Sequence, residues 1–522
     1  MKKIVKILLL ATIALSLLVA CNGNSKETEK SSGGKTIKIG ISKDPVNLNP
    51  VLISDAMGES FASNIFDTLV SYKDDVTTPA PALAEKWTIS KDGKEYTFNL
   101  RKGVKFQNGD AFTAKDVKFT LEAFMDEKNA SPSKQFFNDV DKVEAVDDYT
   151  VKITLKKTYA PFLLALGSPQ IGIMPSDYVK KIGMDKFDRS PVGTGPFKFS
   201  EWTPDDHITL VRNNEYWGGK PNIETAIFRP IPKSEVMSVE LKSGGVDIAT
   251  NLLPEDIKSF STDKNYVVNK VNGLSLQYMG FSAIKKPYSD VRFRKAVYYA
   301  TDFENAIKGI YGDSAERAYS YIPPSVLGND KDYMKTKALP YDEVKAKALF
   351  DELKKDGVIK DGMEIEIFSP QDNFRSKVAT AIASSLTKFG FKVKVQTLEF
   401  ATLLSETKEG KGGMYFLGWS SVPDPDRWTY SIFSSKDGNR SAYKNDIVDS
   451  GLEEGRGTID TSKREEAYKK AMRQALTEDY IHIPLVFKNI TVISKPTVKN
   501  FEASPQEYIY LFTPKRNVDI VN

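Results

Sequence analysis

Few side chains in this 522-residue chain have the chemistry of a catalytic or metal-binding group. It contains one cysteine, Cys21, and two histidines, His207 and His482. Without a second cysteine there is no internal disulfide and no thiolate cluster for a metal. The sequence also lacks a Gly-x-Ser-x-Gly elbow, a His-Glu-x-x-His zinc motif and a complete phosphate-binding loop. We therefore expect a protein that is not an enzyme and that needs no cofactor. A carboxylate-only hydrolase, which motifs do not test, is the alternative.

The N-terminal stretch places Cys21 at the end of an apolar run. Three lysines precede fourteen uncharged residues (7–20), and this run is too short to span a membrane because about 20 residues are needed. The ending Leu18-Val-Ala-Cys21 resembles the lipobox of bacterial lipoproteins. That resemblance implies a signal peptide at residues 1–20 and diacylation of the Cys21 thiol. Residues 21–35 would then be a lipidated, flexible tether, because they have almost nothing apolar to bury.

The charge balance argues against one class of partner. The full chain carries 73 basic and 69 acidic side chains, a formal net charge of +4. Removing the three lysines of the predicted signal peptide leaves 70 basic against 69 acidic groups. A nearly neutral chain provides no long-range field for a polyanion, so we expect no nucleic-acid partner.

Short strand-like segments alternate with amphipathic helices after residue 35, which is typical of an α/β fold. The length suggests about two to four domains. The predicted strands are residues 36–41, as an edge strand, 96–100, 150–155, 209–212, 363–368 and 391–397. The predicted helices are residues 113–124 with a Thr113 cap, 291–300, 342–354, 373–389 and 463–478.

Seven blocks, in order over residues 36–515, resemble the family of extracellular solute-binding proteins that serve oligopeptide, dipeptide and nickel ABC importers. They are residues 81–117, Pro191-Val-Gly-Thr-Gly-Pro-Phe197, residues 213–221, Leu241-Lys-Ser-Gly-Gly-Val-Asp247, residues 287–302, residues 341–349, and Gly418-Trp419 with Asp424-Pro425-Asp426. One such motif would be weak evidence. Seven in the family's order make an accidental similarity a poor explanation.

The resemblance implies an α/β, two-lobed periplasmic-binding-protein type II fold with an extra domain inserted in the first lobe. The two lobes would close on a ligand by hinge motion, with the chain crossing between them near residues 272–276 and again near residues 490–495. Gly273 suits a hinge, with a turn glycine as the alternative. The implied parts are residues 36–65, 190–276 and 490–522 for lobe I, 66–189 for the inserted subdomain, and 277–489 for lobe II.

In this family the peptide lies between the lobes, where main-chain hydrogen bonds supply sequence-independent affinity. Residues 276–282 resemble the strand that offers those bonds. Tyr278, Gly280 and Phe281 are therefore ligand-binding candidates, with core packing as the alternative for Tyr278 and Phe281.

The loop after Trp419 departs from the family pattern. In peptide binders of the family, an aspartate three residues after this tryptophan pairs with the α-amine of the ligand. Here Val422 occupies that position. Trp419, Ser420, Ser421 and Val422 are still expected to contact the ligand, but the usual amine anchor is missing or relocated.

Asp424 is the first carboxylate of this loop, and two roles are open for it. It could replace the missing anchor, because a buried ammonium needs a carboxylate to offset its desolvation. It could equally be the N-cap of a helix over residues 426–433, with Pro425 in the first turn. Arg375 and Arg427 are candidates for a ligand carboxylate, with helix or surface positions as the alternative.

These features predict the substrate-binding lipoprotein of an ABC importer, which captures oligopeptides between two closing lobes and delivers them to the permease. Its expected partners are a peptide, the permease subunits and, indirectly, their ATPases, and the protein itself is expected to be monomeric. The lipid would be its only membrane contact, on the extracytoplasmic face, in the periplasmic space if the cell has two membranes.

Other ligands and one other class stay open. The same transporter family includes binders of nickel chelates, haem, glutathione and saccharides. His207 and His482 are better explained as strand or turn residues than as nickel ligands. A structural or adhesive lipoprotein is the alternative to a binding protein.

Overall fold

The computed structural model describes residues 34–73, 77–420, 423–437 and 439–521. Cys21, and with it the predicted signal peptide and most of the tether, lies outside the described residues. Within them, no helix is long and apolar enough to cross a membrane.

Twenty-one strands are described. In the first half of the chain they are Thr36–Ile41 (β1), Val70–Tyr72 (β2), Pro79–Pro81 (β3), Ala84–Ile89 (β4), Glu95–Leu100 (β5), Val140–Asp147 (β6), Thr150–Leu155 (β7), Phe197–Thr203 (β8), His207–Arg212 (β9), Thr225–Pro230 (β10) and Ile248–Ala249 (β11). The others are Val267–Phe281 (β12), Ala315–Arg317 (β13), Glu364–Pro370 (β14), Lys392–Leu398 (β15), Met414–Ser420 (β16), His482–Ser494 (β17), Val498–Lys499 (β18), Phe512–Thr513 (β19), Arg516–Asn517 (β20) and Asp519–Ile520 (β21).

The α-helices lie between these strands and flank the sheets. They are Ala56–Ile65 (α1), Ala114–Met125 (α2), Phe162–Ala165 (α3), Ser176–Ile182 (α4), Met184–Arg189 (α5), Ser234–Ser243 (α6), Pro254–Ser261 (α7), Val291–Ala300 (α8), Phe303–Tyr311 (α9), Lys331–Lys337 (α10), Glu343–Lys355 (α11), Asn373–Lys388 (α12), Phe400–Lys408 (α13), Pro425–Phe433 (α14), Asp446–Arg456 (α15) and Thr461–Arg473 (α16). A π-helical turn, Gln474–Glu478, extends the last helix.

One mixed sheet of eleven strands runs through the molecule. Its order is β15-β14-β16-β12-β17-β11-β1-β10-β9-β8, with β13 also paired to β17. The two longest strands, β12 and β17, are antiparallel neighbours at its centre. A separate four-stranded antiparallel sheet, β4-β5-β7-β6, lies within the segment predicted as an insertion. Strands alternating with helices confirm the α/β class.

Buried apolar side chains form three clusters. The first core joins the four-stranded sheet to β1, β9 and β10 and to the C-terminal segment, through residues such as Ile39, Phe98 and Leu511. The second core lies within residues 274–487. A small third core, centred on Met237, packs beside the first.

The change from one core to the other falls within β12 and β17. Val271 packs on the first core, whereas Leu274 belongs to the second. Between Asn272 and Leu276 the register of β12 against β17 shifts, so residues 273–275 form a bulge. A side chain at Gly273 would place its Cβ 2.4 Å from the carbonyl oxygen of Lys488, and this close approach explains the glycine.

The Gly-Thr-Gly-Pro turn is also explained by close packing. A Cβ on Gly193 would lie 2.1 Å from the carbonyl oxygen of Ile65, and one on Gly195 would lie 2.6 Å from the Ile65 carbonyl carbon. The Gly195 amide donates a hydrogen bond to the same Ile65 carbonyl. The turn therefore fixes the end of α1 against the strand that follows.

Candidate ligand-binding cleft

Two neighbouring cavities lie where the two large cores meet. Cavity A has a volume of about 250 Å³, and its lining includes Asp55, Glu59, Gln135, Phe136, Trp419, Ser420 and Arg427. Cavity B has a volume of about 240 Å³, and its lining includes Ser42, Asn251, Tyr311, Phe374, Lys488 and Asn489. Both are also lined by Glu507 and Tyr508. The cleft is therefore assembled from distant parts of the sequence.

Trp419 and Ser420 line cavity A, and their predicted contact with a ligand stays a prediction. Strand β16 ends at Ser420, and the half-buried Trp419 donates from Nε1 to the carbonyl oxygen of Arg427 at 2.8 Å. This hydrogen bond fixes the indole against the first turns of α14. Ser421 and Val422 lie outside the described residues.

Asp424 caps a helix and does not face either cavity. Its side chain accepts a hydrogen bond from the Asp426 amide at 2.9 Å, at the N-terminus of α14. Both carboxylate oxygens also lie 2.9 Å from Nη2 of Arg464. Asp424 is 0% exposed. Its oxygens are thus engaged within the protein, so the capping role is observed and a ligand amine has no access to it.

A buried charge cluster surrounds this cap. Asp426 is 1% exposed, and its carboxylate lies 3.2 Å from Nη2 of Arg456 and 3.5 Å from the Tyr159 hydroxyl. Burial raises the pKa of Asp426 to about 6, although Arg456 acts in the opposite direction. The cluster therefore joins α14 to α15 and to Tyr159 of the inserted segment.

Several contacts join the second core to the inserted segment and enclose cavity A. Arg427 donates from Nη1 to Oε1 of Gln135 at 3.1 Å, and its guanidinium lies 4.7 Å from the ring centroid of Phe136. Nearby, the Ala160 amide donates to the carbonyl oxygen of Arg456 at 2.9 Å. The described conformation is therefore closed over this cavity.

Tyr278, Gly280 and Phe281 lie in the second core, away from both cavities. Tyr278 is 1% exposed and Phe281 is 0% exposed. A Cβ on Gly280 would lie 2.3 Å from the ring of Tyr415. The main chain of this stretch is paired with β16 on one side and β17 on the other. It consequently has no free edge to which a ligand strand could add.

Arg375 lies beside the Trp419 strand but is partly engaged. It pairs with Asp372 at 3.3 Å, and its Nη1 would be 3.3 Å from a Cβ on Gly418. Among the described residues, neither Nε of Arg375 nor Oε1 of the neighbouring Gln277 has a hydrogen-bond partner. Arg375 lines neither cavity A nor cavity B, so its contact with a ligand carboxylate stays a prediction.

The histidines have structural positions. His482 is 1% exposed in β17, where the hydroxyls of Tyr321 and Tyr415 lie 3.0 and 2.9 Å from its ring nitrogens. Burial lowers its pKa to about 3, so it is neutral. His207 begins β9 and contacts Asp206 and Glu201. In the part of the chain that the structure describes, no group of three or more His, Cys, Asp or Glu residues could hold a metal ion.

Sequence reasoning missed two glutamates of the cleft, Glu59 and Glu507. Glu59 lies in the first turn of α1, where an acidic residue is ordinary, and accepts a hydrogen bond from the Tyr508 hydroxyl. Burial raises the pKa of Glu59 to about 7, although Tyr508 lowers it. No motif marks either residue, because their proximity to the cleft depends on folding.

Glu59 should make the stability of the protein depend on pH. Its pKa is about 7 when folded against 4.5 for the ordinary group, so the native state binds the extra proton between these values and stability falls as pH rises from 4.5 to 7. We expect Glu59→Gln to stabilise the ligand-free protein above pH 7 by on the order of 2 kcal/mol. Below pH 4.5 the gain should disappear. Urea denaturation at pH 4.5 and pH 8 measures it.

Glu235→Gln is the matched control, because Glu235 is an exposed glutamate in the first turn of α6. It should show no such pH-dependent gain. Equal stability of wild type and Glu59→Gln at both pH values would refute the assignment of a raised pKa to Glu59.

Comparison with known proteins identifies the family of this chain. The sequence model of the family described as bacterial extracellular solute-binding proteins, family 5 Middle, matches residues 78–440. The chain belongs to this family. It is 31% identical over 469 residues to the dipeptide-binding protein of Escherichia coli, covering 84% of this chain and 86% of that protein. It is also 31% identical over 540 residues to the heme-binding protein A of Haemophilus influenzae, covering 95% and 97%.

A solved structure supports the same conclusion for the fold. The periplasmic binding protein DppA of Helicobacter pylori, in complex with the peptide STSA, has a TM-score of 0.78 and 30% identity, covering 93% of this chain and 98% of that one. The predicted type II periplasmic-binding-protein fold is therefore confirmed. The family consists of solute-binding proteins outside the cytoplasm, and no enzymatic activity is indicated.

Proposed function

We propose that this protein is the peptide-binding component of an ABC importer and that it captures short peptides between two lobes. The main support for this proposal is the cleft formed by cavities A and B. Cavities A and B together reach the range of about 300–1,000 Å³ that is usual for ligand pockets. Their walls come from α1, the inserted segment, the Trp419 strand and the C-terminal segment. A ligand in this cleft would contact parts that separate when the protein opens.

The charges of the cleft suit a zwitterion. Arg427 and Lys488 supply cationic groups, and Glu507 supplies a carboxylate. A peptide with free termini presents one group of each sign. The relatives named as dipeptide binders support this ligand class, and the cavity sizes narrow the expected oligopeptides to short ones.

The remaining sequence predictions complete the proposal. Lobe II, residues 277–489, would rotate against lobe I at the junction of β12 and β17, where the bulge lies. Cys21 would carry the lipid that holds the protein on the extracytoplasmic face of the membrane. A monomer would deliver its peptide to the permease, and the tether would raise its effective concentration there.

A thermal-shift series tests the ligand class. A ligand at 100 times its Kd should stabilise the protein by about 2.7 kcal/mol. We expect pools of synthetic di- and tripeptides to raise the melting temperature of the purified protein. Nickel–histidine, haemin and maltose should not.

The ligands other than peptides distinguish a peptide binder from members of other branches of the family. A rise with haemin or nickel–histidine alone would replace the peptide by the ligand of another branch of the family, such as the branch of the haem-binding relative. Mass spectrometry of small molecules that co-purify with the protein gives an independent identification.

A further inference from the structure

The C-terminal segment around Glu507 lines both cavities, and its backbone is fixed from both sides. The Leu274 amide of the β12 bulge donates to the carbonyl oxygen of Pro505 at 2.7 Å. From the other side, the Ile509 amide donates to the Ser60 hydroxyl of α1 at 2.9 Å. Glu507 is therefore held in place at the point where the two cavities meet.

The backbone conformation of Glu507 is unfavourable for its residue type. Its φ is +66°, in the left-handed region where glycine is favoured and side chains other than Asn and Asp are uncommon. Strained backbone of this kind is often found at ligand-binding sites, and here it lies beside both cavities. The local turn does not involve the side chain of Glu507. Its contact in this turn is made by the backbone amide, which donates to the Ser504 carbonyl.

The carboxylate of Glu507 lacks a partner. No donor hydrogen-bonds to it, and no cationic nitrogen lies within 4.0 Å of it, among the residues that the structure describes. The side chain is exposed to the space of the two cavities, yet it lies among protein atoms that remove part of its hydration, and this desolvation raises its pKa, with Lys488 acting in the opposite direction. A partly desolvated carboxylate of this kind is stabilised when a cation reaches it.

The wall of cavity B has further unsatisfied polar groups. Tyr311 is 2% exposed, and its hydroxyl has no hydrogen-bond partner in the described residues. Oδ1 of Asn489 is likewise without a donor among them. Both residues line cavity B together with Glu507. The carboxylate of Glu507, the hydroxyl of Tyr311 and the amide oxygen of Asn489 can all accept hydrogen bonds. A primary ammonium group offers three donors.

The other carboxylates near the cleft are already engaged. Asp424 is paired with Arg464, and Asp55 accepts hydrogen bonds from the first amides of α1 and from the Val46 amide. Glu59 accepts from Tyr508 and lines cavity A only. Among the described carboxylates that line the two cavities, Glu507 is the one that remains without a partner.

We propose that Glu507 binds the ammonium group of the ligand, in place of the acid that the Trp419 loop lacks. This inference rests on the proposed function, because it names the residue that recognises the amino end of a peptide. The ligand class follows from it. The protein should prefer peptides with a free amine, or another primary ammonium, over those in which the amine is acylated.

The test compares two probes on four proteins. The probes are an equimolar pool of free-amine tripeptides and the same pool after N-acetylation. The proteins are wild type, Glu507→Gln, Glu507→Gly and Glu454→Gln, the last an exposed glutamate of α15. Glutamine keeps the size and the backbone strain but removes the charge, whereas glycine removes both and should fold readily at φ +66°. The measured quantity is the peptide concentration that gives half of the maximal thermal shift.

We expect Glu507→Gln and Glu507→Gly to weaken binding of the free-amine pool by about tenfold or more, with Glu454→Gln unchanged. Acetylation should weaken wild-type binding by a similar factor and should add little to the loss in Glu507→Gln. Binding of the free-amine pool by Glu507→Gln within about twofold of wild type would overturn the proposal, as would equal losses for both pools. If neither pool binds wild type, the peptide function itself has failed, and this inference fails with it.

Discussion

Replacement of Arg464 by methionine is expected to destabilise the protein by about 3–5 kcal/mol, because it leaves a buried charge without its partner. Asp424 is 0% exposed, and both of its oxygens lie 2.9 Å from Nη2 of Arg464. Nε of the same arginine donates to the Gly455 carbonyl at 3.0 Å, so a second buried acceptor also loses its donor. Urea unfolding of the ligand-free protein measures the loss.

Two variants separate this pairing from a general effect of the substitution. Lys463→Met changes the neighbouring exposed residue and should alter stability by less than about 0.5 kcal/mol. The double variant Asp424→Asn with Arg464→Met should recover much of the loss, since asparagine still caps α14 and no unpaired charge remains. A single Arg464→Met variant as stable as wild type would show that Asp424 is not held by this arginine.

The helix-capping role of Asp424 was one of two roles that its sequence left open, and the structure shows why the sequence could not choose. Asp followed by Pro is a good start for a helix whether or not the acid also faces a ligand. The deciding contact comes from Arg464, which is 40 residues further along the chain. Local sequence patterns predict helix capping, whereas the other partners of the Asp424 carboxylate depend on tertiary packing.

Elements defined by local periodicity were predicted well. The helix from Ala114 begins at the predicted Thr113 cap, which forms a capping box with Asp116. The strand Thr150–Leu155 and the helix Val291–Ala300 have the predicted bounds. Both depend on the spacing of apolar side chains, which the sequence shows directly.

Features that depend on long-range pairing were predicted less well. β1 was expected at an edge, but it pairs in parallel with β10 on one side and β11 on the other. Its alternating pattern does not distinguish an edge from an interior strand when both faces are covered. Glu59 and Glu507 were missed for the related reason that only folding brings α1 and the C-terminal segment to one cleft.

Replacement of Arg427 by methionine is expected to weaken peptide binding by about 10–100-fold, because the arginine joins the two sides of the cleft in the closed conformation. Its guanidinium donates to Gln135 and stacks on Phe136 of the inserted segment, and the same residue lines cavity A. Both contacts are lost when the sides separate, so they favour closure. Titration calorimetry with the best tripeptide of the thermal-shift series measures the affinity.

Arg189→Met provides the matched control for this effect. Arg189 also stacks on an aromatic ring, at 4.2 Å from the Trp202 centroid, but it lines neither cavity A nor cavity B. It should leave the affinity unchanged. The variant Gln135→Ala should weaken binding by a smaller factor, and its effect should largely vanish in the Arg427→Met background, since the two residues share one hydrogen bond. Unchanged affinity in Arg427→Met would show that closure on the peptide does not depend on this contact. Losses that simply add in the double variant would place the two residues in separate roles.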